Sequence, residues 1–172
     1  FPIQQAVMLK KRGYTLEVVH DPFYPGREIK SLDEKKHITA ALRATEAGIQ
    51  AGIDVLKKSK IKNGKIYRNG SLLTSEALRQ VIEMKMMECG ALGQHTIVAC
   101  GKQAADPHCR GTGPLYAHQT IVLDVFPKHM ATGYHGDITR TVIKGRASET
   151  LKKMYAAVKK SQEAGIKAVR PG

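Results

Sequence analysis

The sequence predicts an α+β fold with long helices on an antiparallel sheet. Apolar residues recur at helical spacing in three long segments, and short apolar runs bounded by glycine, proline and asparagine indicate strands. Two strands predicted on either side of residue 130 follow each other without an intervening helix, which favours helices segregated from an antiparallel sheet. Of the 172 residues, 42% are hydrophobic and 25% are charged, which is typical of a folded domain and not of a disordered chain.

The first part of the chain has the composition of a domain end followed by a linker. Residues 4–13 predict a short helix that ends at Gly13, and residues 14–19 predict a strand. Residues 20–27 contain two prolines and a glycine, which break regular structure. The sequence therefore predicts a domain boundary in this segment.

Two helices follow, each with a recognisable start. Ser31 and Glu34 form a capping box, in which each side chain satisfies the other residue's free amide, and apolar residues then repeat at helical spacing over residues 32–59. Thr74 is the predicted N-cap of the next helix, which Gly90 can end. A methionine-rich stretch in this second helix is interpreted as core.

Shorter elements fill the remaining chain. Two Asn-Gly pairs in residues 62–70 indicate a loop or small hairpin. Residues 95–100, 120–126 and 134–143 predict strands, and an apolar stripe that begins at Leu151 predicts a third helix.

The formal net charge is +13, and part of the excess is clustered. A stretch without any acid holds six basic residues: Lys57, Lys58, Lys60, Lys62, Lys65 and Arg68. Such a cluster is typical of a nucleic-acid or acidic partner, but a solvated face is the favoured interpretation. The sequence has no tryptophan, and the run is interpreted as lacking the interleaved aromatic residues that stack on bases. Nucleic acid is therefore not expected as a partner.

Cysteine usage and hydropathy bear on location. The three cysteines are an odd number and form no C-x-x-C pair, which indicates free thiols in a reducing compartment, so a cytoplasmic location is expected. No apolar run approaches the ~20 residues that span a bilayer, so neither a membrane-spanning segment nor a membrane partner is expected.

The chemistry-bearing residues concentrate in residues 121–142. Asp124 is the one acid of an apolar strand, and Asp137 begins the segment DITRT on the next strand. Antiparallel pairing with Asp124 opposite Asp137 leaves a four-residue turn, which is a common hairpin length. Directly opposed acids repel each other, so one is protonated, both are solvated, or a hard divalent cation binds between them. The residues alone leave these three alternatives open.

Histidines near these strands have a functional and an ordinary interpretation. His108 follows a proline in the polar loop 103–116, where it could polarise or clamp a substrate, or be a surface histidine. His129 and His135 flank the predicted turn, where metal ligation competes with simple solvation.

Four segments together resemble one enzyme family. ADPHC at 105–109, LDVF at 123–126 and GYHGDITRT at 133–141, followed by a helix that ends in AVRPG, are similar to the creatinase/methionine aminopeptidase (M24) superfamily. The first and third resemble its Xaa-Pro peptidase branch, aminopeptidase P and prolidase, and REIKS at 27–31 resembles the start of that catalytic domain. The resemblance implies a pita-bread fold over residues 27–172.

The resemblance also implies a mechanism and roles for particular residues. It implies hydrolysis of the bond between the N-terminal residue and proline by a hydroxide bridging two divalent ions, commonly manganese, cobalt or zinc. Asp124 and Asp137 match the first two metal ligands. His108 matches the histidine that contacts the substrate near the developing oxyanion, and Thr139 would support the ligands by hydrogen bonding.

The same resemblance bears on domain organisation. The family's remaining ligands, a histidine and two glutamates, would lie beyond residue 172. We therefore expect residues 27–172 to be the first half of a catalytic domain, and residues 1–26 to be the tail of a preceding N-terminal domain plus a linker. The fragment alone is expected to lack peptidase activity, and the complete protein is expected to be a homodimer that takes peptides with proline at the second position.

Two other functions stay open at this point. Some members of the superfamily keep the pita-bread shell as binding modules without metals, and the net charge of +13 is compatible with a nucleic-acid or acidic-protein partner. Methionine aminopeptidase is the other alternative, because GYHGD at 133–137 is similar to its hairpin. PHC at 107–109 fits the Xaa-Pro branch better.

Overall fold

The computed structural model describes residues 2–18 and 24–171, and the chain divides into two compact units, Phe1–Lys35 and Lys36–Gly172. The described helices are α1 (Ile3–Lys11), α2 (Leu32–Lys58), α3 (Ser75–Glu88) and α4 (Glu149–Ala168). The described strands are β1 (Lys60–Lys62), β2 (Lys65–Arg68), β3 (Ser71–Leu72), β4 (Ala91–Leu92), β5 (Ile97–Cys100), β6 (Thr120–Val125), β7 (Lys128–His129) and β8 (Ile138–Ile143). The predicted α+β class with antiparallel pairing is confirmed.

In the first unit the structure confirms the predicted helix and contradicts the predicted strand. The helix predicted over 4–13 is α1, and a short 3-10 turn spans Pro25–Arg27. The strand predicted over 14–19 is wrong for residues 14–18, which have no regular structure; Val19 lies outside the described residues. A strand-like pattern in the sequence does not by itself form a strand, because the backbone amides of a strand need a partner strand. In the described chain, no strand pairs with residues 14–18. Residues 20–23 of the predicted linker also lie outside the described residues, so that boundary stays a prediction.

Helix α2 begins and packs as its pattern predicts. The amide of Ser31 donates to Glu34 Oε2 at 2.8 Å and the amide of Glu34 donates to Ser31 Oγ at 3.2 Å, which confirms the capping box. On the same helix, Gly48 and Gly52 lie against α3, where a Cβ atom would meet Met86 Cγ at 2.6 Å and Ile82 side-chain carbons at 2.9 Å. The glycines let the two helices approach closely over the core.

A small meander connects α2 to α3. Strands β1, β2 and β3 pair antiparallel, and the predicted Asn-Gly pairs form both turns, with positive φ at Asn63 and Asn69. Helix α3 then begins at its predicted cap, because the amide of Ala77 donates to Thr74 Oγ1 at 3.2 Å. Gly90, at φ +74°, follows the end of this helix.

The larger sheet has the strand order β5-β6-β8 and carries the core on one face. Along β6 the residues alternate between buried and half-buried. Ile121, Leu123 and Val125 belong to the hydrophobic core that also contains residues of α2 and α3. Val122 and Asp124 point to the opposite face, as period-two alternation requires.

The pairing of β6 with β8 corrects the predicted register. Asp124 lies opposite Thr139, not opposite Asp137. The register continues through an isolated bridge between Lys128 and His135, and the four-residue turn covers residues 130–133 instead of 129–132. The two acids therefore are not directly opposed, so the predicted like-charge conflict across the pair does not arise.

Helix α4 is amphipathic but buries none of its residues. It begins at Ser148, whose Oγ accepts from the amide of Leu151 at 3.2 Å. Its predicted apolar stripe is exposed, with Val158 and Tyr155 both 69% accessible. Across residues 2–18 and 24–171, the helices are all too short or too polar to cross a membrane.

Candidate active site

Asp124 and Thr139 form the centre of the site. They are cross-strand partners of β6 and β8, and Thr139 Oγ1 donates a hydrogen bond to Asp124 Oδ1. This bond orients the carboxylate on the sheet face opposite the core, and within residues 2–18 and 24–171 no hydrogen bond engages its other oxygen. Thr139 therefore orients the Asp124 carboxylate by a direct hydrogen bond.

Asp137 reaches the same face from the start of β8. It immediately precedes the strand and is exposed, and alternation places it on the side of Thr139. Its neighbour Gly136 is buried against α2: a Cβ atom there would lie 2.6 Å from the carbonyl oxygen of Ala41 and would collide with Thr45 Oγ1. Glycine at residue 136 therefore lets the chain approach α2 closely, and this close approach positions the adjacent Asp137.

The loop that carries His108 lines the same face. A 3-10 helix, Gly101–Ala105, leads into a cavity of about 250 Å³ lined by Asp106 and Pro107 from the loop and by Asp124 and Thr139 from the sheet. His108 is exposed and follows these two loop residues, and its amide donates to Asp106 Oδ1 at 2.9 Å. The structure thus brings the loop before His108 to Asp124, and it leaves the imidazole accessible.

Helix α3 anchors the far end of this loop. Arg79 Nη2 donates to the carbonyl oxygens of Arg110 and Gly111, the second at 2.7 Å. Glu76 Oε1 accepts from the amide of Gly113 at 3.0 Å. Backbone amides of Glu76 itself and of Gly113 lower the pKa of the Glu76 carboxyl, because they stabilise its charged form. The loop is therefore tied to a packed helix by charge-assisted bonds.

Gly111 brings the loop against β5. Its φ is +78°, and a Cβ atom there would collide with the carbonyl oxygen of Val98. The amide of Val98 donates to the carbonyl oxygen of Arg110 at 3.0 Å, so the loop backbone continues along the edge of the strand. Only glycine fits both this conformation and this approach.

The donor set fits part of a metal site. Two carboxylates on one face provide hard oxygen ligands, which divalent cations such as manganese prefer. Among the residues that the structure describes, however, no group of three or more histidine, cysteine or acidic side chains could hold a metal ion. The described residues therefore place two carboxylates on this face without a third such side chain grouped with them. His129 instead contacts Thr132 Oγ1 at 3.1 Å in the turn, and His135 is exposed beside it.

Three residues of this region, Asp106, Arg79 and Glu76, were not identified as functional from the sequence. Asp106 stands in the quoted ADPHC motif, and the Asp-Pro turn chemistry could have indicated that its side chain folds back on the loop. Arg79 and Glu76 bond to residues 31 to 37 positions away. On the sequence they are ordinary polar residues of an amphipathic helix.

Comparisons with known proteins identify the family of the chain. The profile of metallopeptidase family M24 matches residues 36–172. Xaa-Pro aminopeptidase 1 of Streptomyces coelicolor is 31% identical over 148 residues, covering 85% of this chain and 28% of that protein. Xaa-Pro dipeptidase of Pyrococcus horikoshii is 28% identical over 167 residues, covering 95% and 44%. The chain thus spans less than half the length of both relatives.

A solved structure extends the likeness to the fold. The crystal structure of the prolidase from Pyrococcus horikoshii OT3 matches with a TM-score of 0.80 and 26% identity, covering 100% of this chain and 47% of that one. This likeness confirms the pita-bread fold, and the family match confirms the resemblance found in the motifs.

Proposed function

Because the chain belongs to metallopeptidase family M24, we propose that it is the first half of the catalytic domain of a metal-dependent Xaa-Pro peptidase. The observation that carries the proposal is the Asp124–Thr139 pair on a cavity lined by the loop that leads into His108. The relatives named Xaa-Pro aminopeptidase and Xaa-Pro dipeptidase support the substrate class. A metal-free binding module is not favoured, because both acids of the motif are present.

Asp124 and Asp137 would hold two divalent ions, manganese, cobalt or zinc, together with a histidine and two glutamates from the second half of the domain. When bound, such ions supply activation of water as a nucleophile and polarisation of the scissile carbonyl. The hydroxyl of Thr139 donates a hydrogen bond to one oxygen of Asp124, so the carboxylate would present its other oxygen in a fixed direction. Asp137 supplies its carboxylate from the exposed start of β8.

His108 would act on the substrate and not on the metals. It is exposed beside the cavity, where its imidazole can donate to the carbonyl oxygen as negative charge develops there. The proposed substrate is a peptide with proline at the second position, a class that the relatives named Xaa-Pro aminopeptidase and Xaa-Pro dipeptidase support. The anchoring of the loop by Arg79 and Glu76 would keep the residues before His108 on the cavity that Asp124 lines.

Activity of the full-length protein on Xaa-Pro peptides, with and without added Mn²⁺, tests the proposal. Asp124→Asn and Asp137→Asn should each lower kcat/KM by about 100-fold or more and reduce the metal content, because an amide is a weaker ligand than a carboxylate. Asp54→Asn is the matched control, since Asp54 lies on α2 and pairs with Lys57 at 3.8 Å, away from the site. Parental activity and metal content in either site variant would contradict the assignment.

Two further proposals concern the whole protein. A homodimer is proposed by analogy with the family, and sedimentation of the full-length protein tests it. A reducing compartment such as the cytoplasm is supported by Cys89, Cys100 and Cys109, which are all free thiols in the structure.

A further inference from the structure

The β1–β3 meander carries a groove that the peptidase site does not use. The groove has a volume of about 580 Å³, and its lining includes Lys58, Lys60, Lys62, Tyr67 and Asn69. We refer to these five residues as the lysine groove. Among the residues that the structure describes, no acidic side chain lines it.

The register of the meander explains why these side chains meet. Lys60 pairs with Tyr67, and Lys62 pairs with Lys65. Between them Ile61 pairs with Ile66, which is fully buried and belongs to the core. Because alternate residues of a strand point to opposite faces, Lys60, Lys62 and Tyr67 share one face of the meander. Ile61, which is 40% exposed, also lines the groove, and Lys58 reaches it from the end of α2.

The lysines of this face are not neutralised within the protein. Lys62 and Lys65 are directly opposed like charges, an arrangement that weakens a strand pair. Across the described parts of the chain, no ion pair involves Lys58, Lys60 or Lys62, and the nearby Asp54 pairs with Lys57. The groove therefore retains a concentrated positive charge that an anionic ligand would relieve.

Tyr67 corrects the interpretation of the basic run as lacking an aromatic residue. It lies between Lys65 and Arg68 in the sequence and is half-buried in the groove. In the part of the chain that the structure describes, its ring has no stacking partner and its hydroxyl has no hydrogen bond. A phenol ring flanked by lysines is the arrangement that receives a stacked base beside its phosphates.

We propose that the lysine groove binds single-stranded nucleic acid. Lys58, Lys60 and Lys62 neutralise successive phosphates, and Tyr67 stacks on an unpaired base. Lysine binds phosphate as a point charge, and a phosphodiester chain presents such charges in a regular row. A ring can stack only on a base that is free of its duplex, so the single strand is the preferred form.

Fluorescence anisotropy of the full-length protein with a labelled 20-nucleotide oligo(dT) tests this proposal. Three phosphate contacts predict a slope of about −2 for log affinity against log salt, which is roughly a 15-fold loss between 50 and 200 mM salt. The same sequence as a duplex should bind more weakly. An undetectable affinity, or one that does not depend on salt, would overturn the proposal.

Matched variants distinguish binding in the lysine groove from non-specific attraction to the positive charge of the whole protein. The double variant Lys60→Gln with Lys62→Gln should weaken binding by roughly 10-fold and flatten the slope by about 1.4. Its matched control is Lys153→Gln with Lys160→Gln, which removes the same charge from the exposed helix α4. Equal losses in both double variants would show diffuse attraction and refute the groove.

Tyr67 and two competing ligands complete the test. Tyr67→Leu should weaken binding by about 5-fold or more while Tyr67→Phe retains it, because stacking needs the ring and not the hydroxyl.

Tighter binding of an oligoglutamate peptide, or of vesicles containing phosphatidylserine, would also overturn the proposal. Peptidase activity is measured in parallel and should be unchanged in the lysine variants, so failure here is distinguishable from failure of the proposed function.

Discussion

The two faces of the β5-β6-β8 sheet differ in what their residues do. Leu123, on the core face, is completely inaccessible, whereas the adjacent Asp124, on the other face, is half-buried and bonds to Thr139. The first face stabilises the fold by removing apolar surface from water. The second face carries an acidic residue, Asp124, at a position where an apolar side chain could have been buried.

This difference shows how one strand serves stability and chemistry together. Because side chains alternate along the strand, Asp124 takes its backbone position from the packing of Leu123 and Val125 beneath it. The carboxylate is therefore carried by a rigid strand, and the residues that fix its backbone position lie on the opposite side of the sheet, whereas Thr139 orients the carboxylate on its own side. Substitutions on the two faces should consequently separate stability from activity.

Leu123→Ala should produce the largest loss of stability. Truncation of a fully buried leucine leaves a cavity and typically costs about 2–5 kcal/mol. Asp124→Asn, one residue away, is nearly isosteric and keeps an oxygen that can accept from Thr139, so its free energy of unfolding should change by less than about 1 kcal/mol. Urea unfolding of both variants beside the parent measures the contrast, and similar losses at the two positions would remove the distinction between the faces.

Gly111→Ala should have the next largest effect, and it tests the loop that covers the second face. A side chain here combines a left-handed backbone conformation with a collision at the Val98 carbonyl, so we expect destabilisation by about 1–3 kcal/mol. Gly113→Ala is the matched control, because its φ of +73° is similar but open space surrounds its Cβ position. Thermal unfolding compares them; an equal loss in both would mean that backbone conformation alone, and not the approach to β5, requires glycine.

Local signals made much of the fold predictable. The Ser31–Glu34 capping box and the Asn-Gly turns depend on residues a few positions apart, so the sequence contains the whole interaction. The predicted strand is wrong over residues 14–18 because pairing depends on a partner that the pattern does not specify. Helix α4 has a clear apolar stripe, as α2 has, but only α2 buries its stripe in the described structure.

The register of β6 and β8 could not be predicted for a specific reason. A shift by one residue moves every side chain to the wrong face, but a shift by two keeps all apolar residues inside. Pairing of Asp124 with Asp137 and pairing with Thr139 therefore satisfy the same pattern, and the structure shows the second. The anchoring of the His108 loop by Arg79 and Glu76 was likewise hidden, because it depends on residues brought together only by the fold.

Glu76→Gln should have the smallest effect, and its dependence on pH is diagnostic. The folded-state pKa of Glu76 is lowered from 4.5, so its carboxylate stabilises the folded state above that pH, and this contribution disappears as the pH falls through the folded-state value. Glutamine keeps an acceptor for the Gly113 amide but not the charge, so the loss near pH 7 should be within about 0.5 kcal/mol. Thermal unfolding of parent and variant from about pH 7 to about pH 3 should show the two curves converging in acid. A difference that persists or grows in acid would mean that Glu76 anchors the loop without using its charge.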